Sequence, residues 1–382
     1  VAGDRPSLLI MSFSPLVSDA RVLRQIRLFQ HEGHAVTTLG YGPAPDGVVE
    51  HLQLPDEAIS WHKDRRLLIL RRFEAAYRTS PVVVAATALL GGRRGRYDVV
   101  LADDIDTLPL ALDLAPRGGV HVDLHEYHPR QNEELRRWAL FVAPYYRWLV
   151  RTYGVQSDSA TTVGQGIARE YEREFGLACG VVMNAPYRRD DLSPTPVSWP
   201  PRLVHAGNGV AARLEVMLEA MSQVTNGATL DLYLIDQGNG YVPVLRERFA
   251  DSDRVRIHDP VPTAEIVSTL NSYDAGVYSL PPISFNFRWA MPNKFFDFVQ
   301  ARLALVIGPS PEMAGLVEKH QLGVVAQDFT PEAFAAAINA LTPETLAAAK
   351  AASHEAARVL CAEEQVHRWT EPVAALAARA QR

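Results

Sequence analysis

Cysteine is scarce in this chain: 382 residues hold two, Cys179 and Cys361. Neither fits a metal-ligand spacing, and one pair cannot form a disulfide framework. A reducing compartment is the natural inference, with both thiols packed as small apolar side chains. Long apolar runs are also lacking. The longest, Val82 to Leu90, spans nine residues with Thr87 inside, whereas a bilayer span needs ~20. The opening residues, Val1 to Pro6, have no initiator Met, which suggests a trimmed start. The apolar run from Leu8 to Met11 is too short for a secretory signal. Excess charge of one sign is lacking too. A net charge of −6 gives no basic field for nucleic acid, so an anionic ligand must be held by a local cluster. There is no Gly-x-Ser-x-Gly, no Walker A loop and no clustered Cys/His set. Hydrolase, P-loop and zinc readings lose their usual support.

What remains is ordinary globular usage, with 47% hydrophobic and 21% charged residues, which argues against disorder. At ~100–200 residues per domain the length suggests two or three domains. The first half alternates short apolar runs with helical periods. Leu8–Met11 reads as a buried strand, followed by a loop from Ser12 to Ser18. Val22, Leu23, Ile26 and Phe29 then recur at helical spacing. Ser18 and Asp19 suit the start of that helix, and Gly33 its end. Further strands are expected at 36–39, 99–101, 120–123, 160–163 and 181–183. Residues 186–201 hold five prolines and no apolar period, which reads as a linker. The alternation then resumes, with strands at 203–206, 230–234, 255–257, 275–278, 303–307 and 324–325. From about Pro343 the chain is Ala-rich and helical.

Regular β–α alternation implies parallel sheets covered by helices. Two such halves around a Pro-rich linker imply an α/β protein of two Rossmann-like domains facing across a cleft. The expected division is 1–188 and 189–364, with a C-terminal helix near 365–382 packing back on the first domain. Ligands of such sheets bind beyond the carboxyl ends of the strands.

Several constellations lie there. Met291-Pro292-Asn293-Lys294-Phe295-Phe296-Asp297-Phe298 follows a strand and an unusual polar–aromatic loop. Pro292 suits the first helical turn, leaving the amides of Asn293 and Lys294 unpaired. Those amides, the helix dipole and an ammonium suit a diphosphate. Asp297, one turn on, suits ribose hydroxyls. The bland alternative is a helix start with a solvated Lys and Asp. His205-Ala206-Gly207-Asn208-Gly209, with Arg213 soon after, reads either as a phosphate loop or as a tight turn.

In the first half, Asp123-Leu124-His125-Glu126-Tyr127-His128 ends a strand. His125 suits a proton carrier or the grip on an acceptor hydroxyl, and the alternative is a structural polar loop. A metal site there lacks a third and fourth ligand at defined spacing. In Asp103-Asp104-Ile105-Asp106, Asp106 reads as a helix cap and Asp104 stays open. Two basic–aromatic stretches, Trp61 to Phe73 and Arg136 to Arg151, suit anionic lipid or, more commonly, solvated helix faces.

Taken in order from Leu8 to about Leu341, these segments resemble the GT-B glycosyltransferases, specifically the large retaining family four. The resemblance starts at Ser18-Asp19-Ala20-Arg21-Val22-Leu23-Arg24 and the turn Glu32-Gly33-His34-Ala35-Val36. It continues through Asp123-Leu124-His125-Glu126, Val181-Val182-Met183-Asn184-Ala185-Pro186 and Pro292-Asn293-Lys294-Phe295-Phe296-Asp297-Phe298. It implies sugar transfer from a nucleotide-diphosphate sugar, a UDP-sugar by preference, to an acceptor hydroxyl. Retention by front-face attack is implied, the leaving phosphate helping to remove the acceptor proton. Cationic side chains would neutralise that phosphate with no bound metal and no cofactor.

Arg213 and Lys294, with amides near Gly209 and Asn293, would hold the diphosphate. Asp297 would take the ribose, and Met291 and Arg288 would complete the donor side. His125 and Glu126 are the catalytic candidates; Asp19, Asp104 and His128 belong to the acceptor side. The chain departs from the family pattern where two glutamates stand eight residues apart: Trp289 and Asp297 occupy those positions. Arg288 is the nearest compensating side chain. A nucleotide-sugar epimerase and a non-catalytic partner subunit are the competing readings. The expected partners are donor and acceptor, with no nucleic acid, and the expected location is cytoplasmic, at the inner membrane face if the basic stretches bind lipid.

Overall fold

A computed structural model describes residues 5–382; the first four residues of the expected first domain lie outside the described residues. The chain forms two compact units. Unit 1 takes the chain up to Met183, together with Ser284–Asn286 and Val366–Arg382. Unit 2 takes Asn184–Ile283 and Phe287–Gln365.

Unit 1 is built on seven parallel strands: β1 (Ser7–Pro15), β2 (Ala35–Tyr41), β3 (Glu50–Gln53), β4 (Val99–Asp103), β5 (Gly119–Leu124), β6 (Ser159–Thr162) and β7 (Gly180–Val181). Their order is β3-β2-β1-β4-β5-β6-β7. The strand order reverses between β1 and β4, which opens a crevice past their carboxyl ends. All five residues of β4 are buried, as a strand covered on both faces requires. β3 is not foreshadowed in the sequence. Only Leu52 of its four residues is buried, because an edge strand needs one covered face.

Asp19 caps the helix Ala20–His31, accepting from the amides of Arg21 (3.1 Å) and Val22 (3.2 Å). Val22, Ile26 and Phe29 of that helix share a core with Leu8, Ile10, Val99 and Leu101. The last helix, His367–Ala380, adds Trp369, Val373 and Leu376 to the same core. Trp369 is 1% exposed.

Unit 2 carries six parallel strands: β8 (Arg202–Asn208), β9 (Thr229–Ile235), β10 (Val255–His258), β11 (Ala275–Tyr278), β12 (Ala304–Ile307) and β13 (Gly323–Val325). The order β10-β9-β8-β11-β12-β13 repeats the reversal, here between β8 and β11. Its core joins Leu203, Leu230, Leu232 and Val277 to Leu214, Leu218, Phe334 and Ile338 of the covering helices.

The Pro-rich stretch is a strap on unit 2, not a free linker. Thr195 Oγ1 donates to the Asn271 carbonyl (2.9 Å), Lys350 Nζ to Thr195 Oγ1 (2.9 Å), and the Ser198 amide to Asp274 (3.0 Å). Ala362 N also donates to the Pro186 carbonyl (2.8 Å). The compact units change at Met183–Asn184. Among the described residues no helix is long and apolar enough to cross a membrane.

Candidate functional site

The crevice of unit 1 opens into a cavity of about 570 Å³. Three post-strand segments meet in its wall. The end of β1 supplies Ser12 and Ser14 and the turn after it Asp19; the end of β4 supplies Asp103, Asp104 and Asp106; the end of β5 supplies His125 and His128. Asp104 adopts φ +65°, a region unfavourable for a side-chain-bearing residue. That turn is held by Asp104 N donating to the Asp123 carbonyl (2.8 Å) and by His125 N donating to Asp104 Oδ1 (2.9 Å).

Behind the cavity lies a buried ion pair. Arg21 donates from Nε and Nη2 to the two oxygens of Asp123, each at 2.7 Å, and from Nη1 to the Val182 carbonyl at 2.8 Å. Gln25 Nε2 (2.6 Å) and Thr161 Oγ1 (2.7 Å) also donate to Asp123. Burial pushes the Asp123 carboxyl upward, but Arg21 and His125 together outweigh it and hold the group well below the carboxylate range.

The ring of His125 stands among three carboxyls. Nε2 lies 3.4 Å from Asp103 and 3.6 Å from Asp123, and Nδ1 lies 3.5 Å from Asp104. Burial lowers its pKa, but Asp104, Asp103 and Asp123 together raise it well above the usual histidine value. Asp103, with Oδ2 unpartnered, is pushed up by burial to about 7. His125 is therefore favoured as a cation beside a carboxyl whose own pKa burial raises.

Asp103, Asp123 and His125 each place one ligand atom within 4.8 Å of the others. Asp103 is the third potential ligand that sequence spacing did not reveal. A cation fits this set poorly, because Arg21 already engages both Asp123 oxygens.

The remaining expectations for unit 1 divide. Asp19 caps its helix and also lines the cavity. His128 is 5% exposed, with Nε2 3.5 Å from Asp104 Oδ1. Glu126, the other catalytic candidate, does not line the cavity, and its carboxylate accepts from Asn286 Nδ2 at 3.4 Å. Burial raises its pKa. Asp106 is a correction. Thr107 occupies the cap position of the following helix, and Asp106 pairs instead with Lys63 Nζ at 3.3 Å. The basic–aromatic stretches also turn partly inward: Trp61, Lys63, Arg65 and Trp138 line the cavity. The two cysteines are free, and burial pushes Cys179 up to about 12 and Cys361 to about 11.

Unit 2 presents a cationic site at the carboxyl end of β8. Lys294 lies over Gly207, where a Cβ would come within 1.9 Å of Lys294 Cε. Burial lowers the Lys294 pKa and Arg213 lowers it further, while Asp297 opposes both. Arg213 stacks 5.1 Å above the Phe287 ring, and its Nε is buried without a partner. Beneath them His205 stacks on Tyr278 (5.8 Å, 7° between planes) and bonds the Val277 carbonyl at 3.0 Å. Burial, with Lys294 and Arg213, drives His205 down to about 3. Two cations thus repel each other in a partly dry place, which an anion would relieve.

Pro292 is the N-cap of the helix Asn293–Gln300, one position earlier than expected, and no side chain caps that helix. Its first amides lack helical partners. Met291 is 3% exposed. Arg288 is exposed and lies 5.6 Å over the Trp289 ring. The Gly209 amide donates to the Ile235 carbonyl (2.9 Å), and a Cβ there would strike Val242 at 2.4 Å, so close packing requires a glycine here. Gly207 is the glycine that approaches the cations. The order of glycines in the loop did not distinguish the two; the rotation of β8 does.

Two Rossmann-like units with these strand orders are the GT-B fold. Three solved structures share it at low identity. Sucrose-phosphate synthase from Thermosynechococcus elongatus is 12% identical, with a TM-score of 0.66 over 98% of this chain and 100% of that one. A glycosyltransferase from Rickettsia africae is 11% identical, with a TM-score of 0.65 over 97% and 99%. The UDP-forming α,α-trehalose-phosphate synthase from Burkholderia vietnamiensis is 13% identical, with a TM-score of 0.64 over 97% and 100%. No protein-family pattern matches the sequence, and no curated protein matches it in sequence.

Proposed function

We propose that this protein is a glycosyltransferase that moves a sugar from a nucleotide-diphosphate sugar to an acceptor hydroxyl. The observation that carries the reading is the pair Arg213 and Lys294. Lys294 stands over Gly207 in a helix start without a side-chain cap, Arg213 repels it, and Arg213 Nε has no partner. That arrangement suits a leaving diphosphate, whose charge the pair would neutralise during bond cleavage. Asp297 is the candidate for the ribose hydroxyls. On the acceptor side, cationic His125 would donate a hydrogen bond, and Asp104 and His128 would orient the hydroxyl. Retention by front-face attack fits a site whose acceptor proton leaves with the phosphate.

UDP is the proposed nucleotide, consistent with the UDP-forming enzyme among the similar structures. Metal independence is supported by the cations at the donor site and by the engagement of Asp123 with Arg21. The test is thermal unfolding with UDP, GDP, ADP and dTDP, each with and without EDTA. A ligand at about 100 times its Kd stabilises by ~2.7 kcal/mol. An EDTA-insensitive shift with UDP alone supports the donor site, its nucleotide and metal independence; loss of the shift in EDTA overturns metal independence. No shift with any nucleotide overturns the donor site. Nucleotide binding without turnover over many acceptors would instead favour a partner subunit, to which Trp289 already points.

Peripheral membrane contact on the cytoplasmic side is part of the proposal. Trp61, Ile69, Leu70, Leu135, Leu140 and Phe141 are exposed among Arg65, Arg66, Arg136 and Arg137. Co-sedimentation with phosphatidylglycerol vesicles but not phosphatidylcholine vesicles is the expected result. Equal absence from both pellets would refute the contact.

A further inference from the structure

We propose that the unit 1 cavity takes an uncharged polyhydroxylated ligand, a sugar or cyclitol of one or two rings without a phosphate. The inference rests on the transferase reading only in calling that ligand the acceptor. Size comes first: pockets of ~300–1,000 Å³ hold ligands of drug-like size, and this one is about 570 Å³. Flat faces come second. Trp138 stacks against Tyr146 (6.1 Å, 23° between planes), both line the cavity, and Trp61 stands at its rim, 80% exposed. Aromatic faces suit the C–H face of a sugar ring while its hydroxyls seek polar partners.

Charge decides against a phosphate. The lining holds Asp19, Asp103, Asp104 and Asp106. Its buried cations already face carboxylates: Lys63 faces Asp106 at 3.3 Å, and His125 faces Asp104 and Asp103. Arg65, exposed, has no carboxylate partner among the described residues. A dianion would meet carboxylates whose charges are balanced from within, and would gain one solvated cation. A hydroxyl, in contrast, can both donate and accept. Asp103 Oδ2 is the place for one: the residue is 1% exposed, lines the cavity, and leaves that oxygen unpartnered.

The test is saturation-transfer NMR on the full chain, with and without UDP. The probes are glucose, maltose and myo-inositol, compared with glucose 6-phosphate and myo-inositol 1-phosphate. At least one neutral probe is expected to bind, about tenfold or more tighter than its phosphorylated counterpart. Trp61→Ala, at an exposed position, should weaken that probe several-fold without moving the unfolding midpoint, and Arg65→Ala should leave it unchanged. Tighter binding of the phosphorylated probe, loss of neutral binding in Arg65→Ala, or no binding of any probe overturns the inference. UDP binding without any sugar binding would overturn it and leave the transferase reading intact. Sugar binding without any nucleotide binding would do the reverse.

Discussion

Lys294 crosses directly over Gly207, so close that a methyl on that glycine would stand 1.9 Å from Lys294 Cε and 2.4 Å from Nζ. The backbone there is also at φ +153°. Gly207→Ala must therefore displace the ammonium or the strand end. We expect weaker UDP binding, together with a loss of stability of about 1–3 kcal/mol for overpacking. Calorimetric titration and urea unfolding measure the two effects. Unchanged affinity would mean that Lys294 acts at the diphosphate from another position.

Lys294→Met should have effects of opposite sign on folding and on binding. Without nucleotide, the substitution removes a desolvated charge repelled by Arg213, so stability should hold or rise. Nucleotide affinity should fall by ~1.5–3 kcal/mol, as for a hydrogen bond to a charged group. A variant that loses stability and keeps affinity would refute the phosphate role.

Asp123→Asn should be severe. The change leaves the Arg21 guanidinium, 5% exposed as a residue, without its two-point carboxylate partner. Breaking a buried pair from one side costs about 3–5 kcal/mol. Urea unfolding of the full chain should show that loss. A change under 1 kcal/mol, small on the ~3–5 scale of such pairs, would mean that the Val182 carbonyl and the amide oxygen at position 123 suffice as acceptors for Arg21.

His125→Ala should lower turnover more than donor affinity, because His125 lies on the acceptor side. Its raised pKa keeps the ring cationic past 6.5. The stability from that charge is fully present below the unfolded value and is lost as pH rises through the folded one. If turnover uses the cation, activity falls over the same rise. NMR titration of the ring and the pH–rate profile should then share a midpoint above 6.5. A rate limb with a midpoint below it would exclude the cationic role.

His205 has the opposite sign. Its pKa falls from 6.5 to about 3 on folding. The unfolded chain therefore gains a proton first as pH drops, and stability is lost from about 6.5 down to about 3. Lys294 and Arg213 are the cations that reinforce this. His205→Gln should flatten the acid limb of the unfolding midpoint. An unchanged limb would show that another group governs it.

Much of the architecture was readable in residue order. Runs such as Val99-Val100-Leu101 and Leu303 to Ile307 are apolar throughout because a parallel strand is covered on both faces. β3 was invisible because one buried leucine at an edge carries no pattern. The site was readable as a set of segments but not as contacts. Asp104, His125 and His128 meet because β4 and β5 are neighbours in register, with Asp103 opposite Asp123. The capping role of Asp106 was misread because Lys63, its actual partner, lies far away in sequence.

The sequence by itself determined the alternation of strands and helices, and hence two Rossmann-like halves, because apolar period and turn chemistry are local properties. It also determined which post-strand loops carry charge. Tertiary structure alone decided which of those charges meet. Arg21 reaches Asp123 across 102 positions, and Lys294 reaches Gly207 from a different strand–loop unit. The reason is physical: pairing of charges and a lowered or raised pKa depend on burial and distance through space, and a parallel sheet sets both by strand order, which the chain order does not reveal.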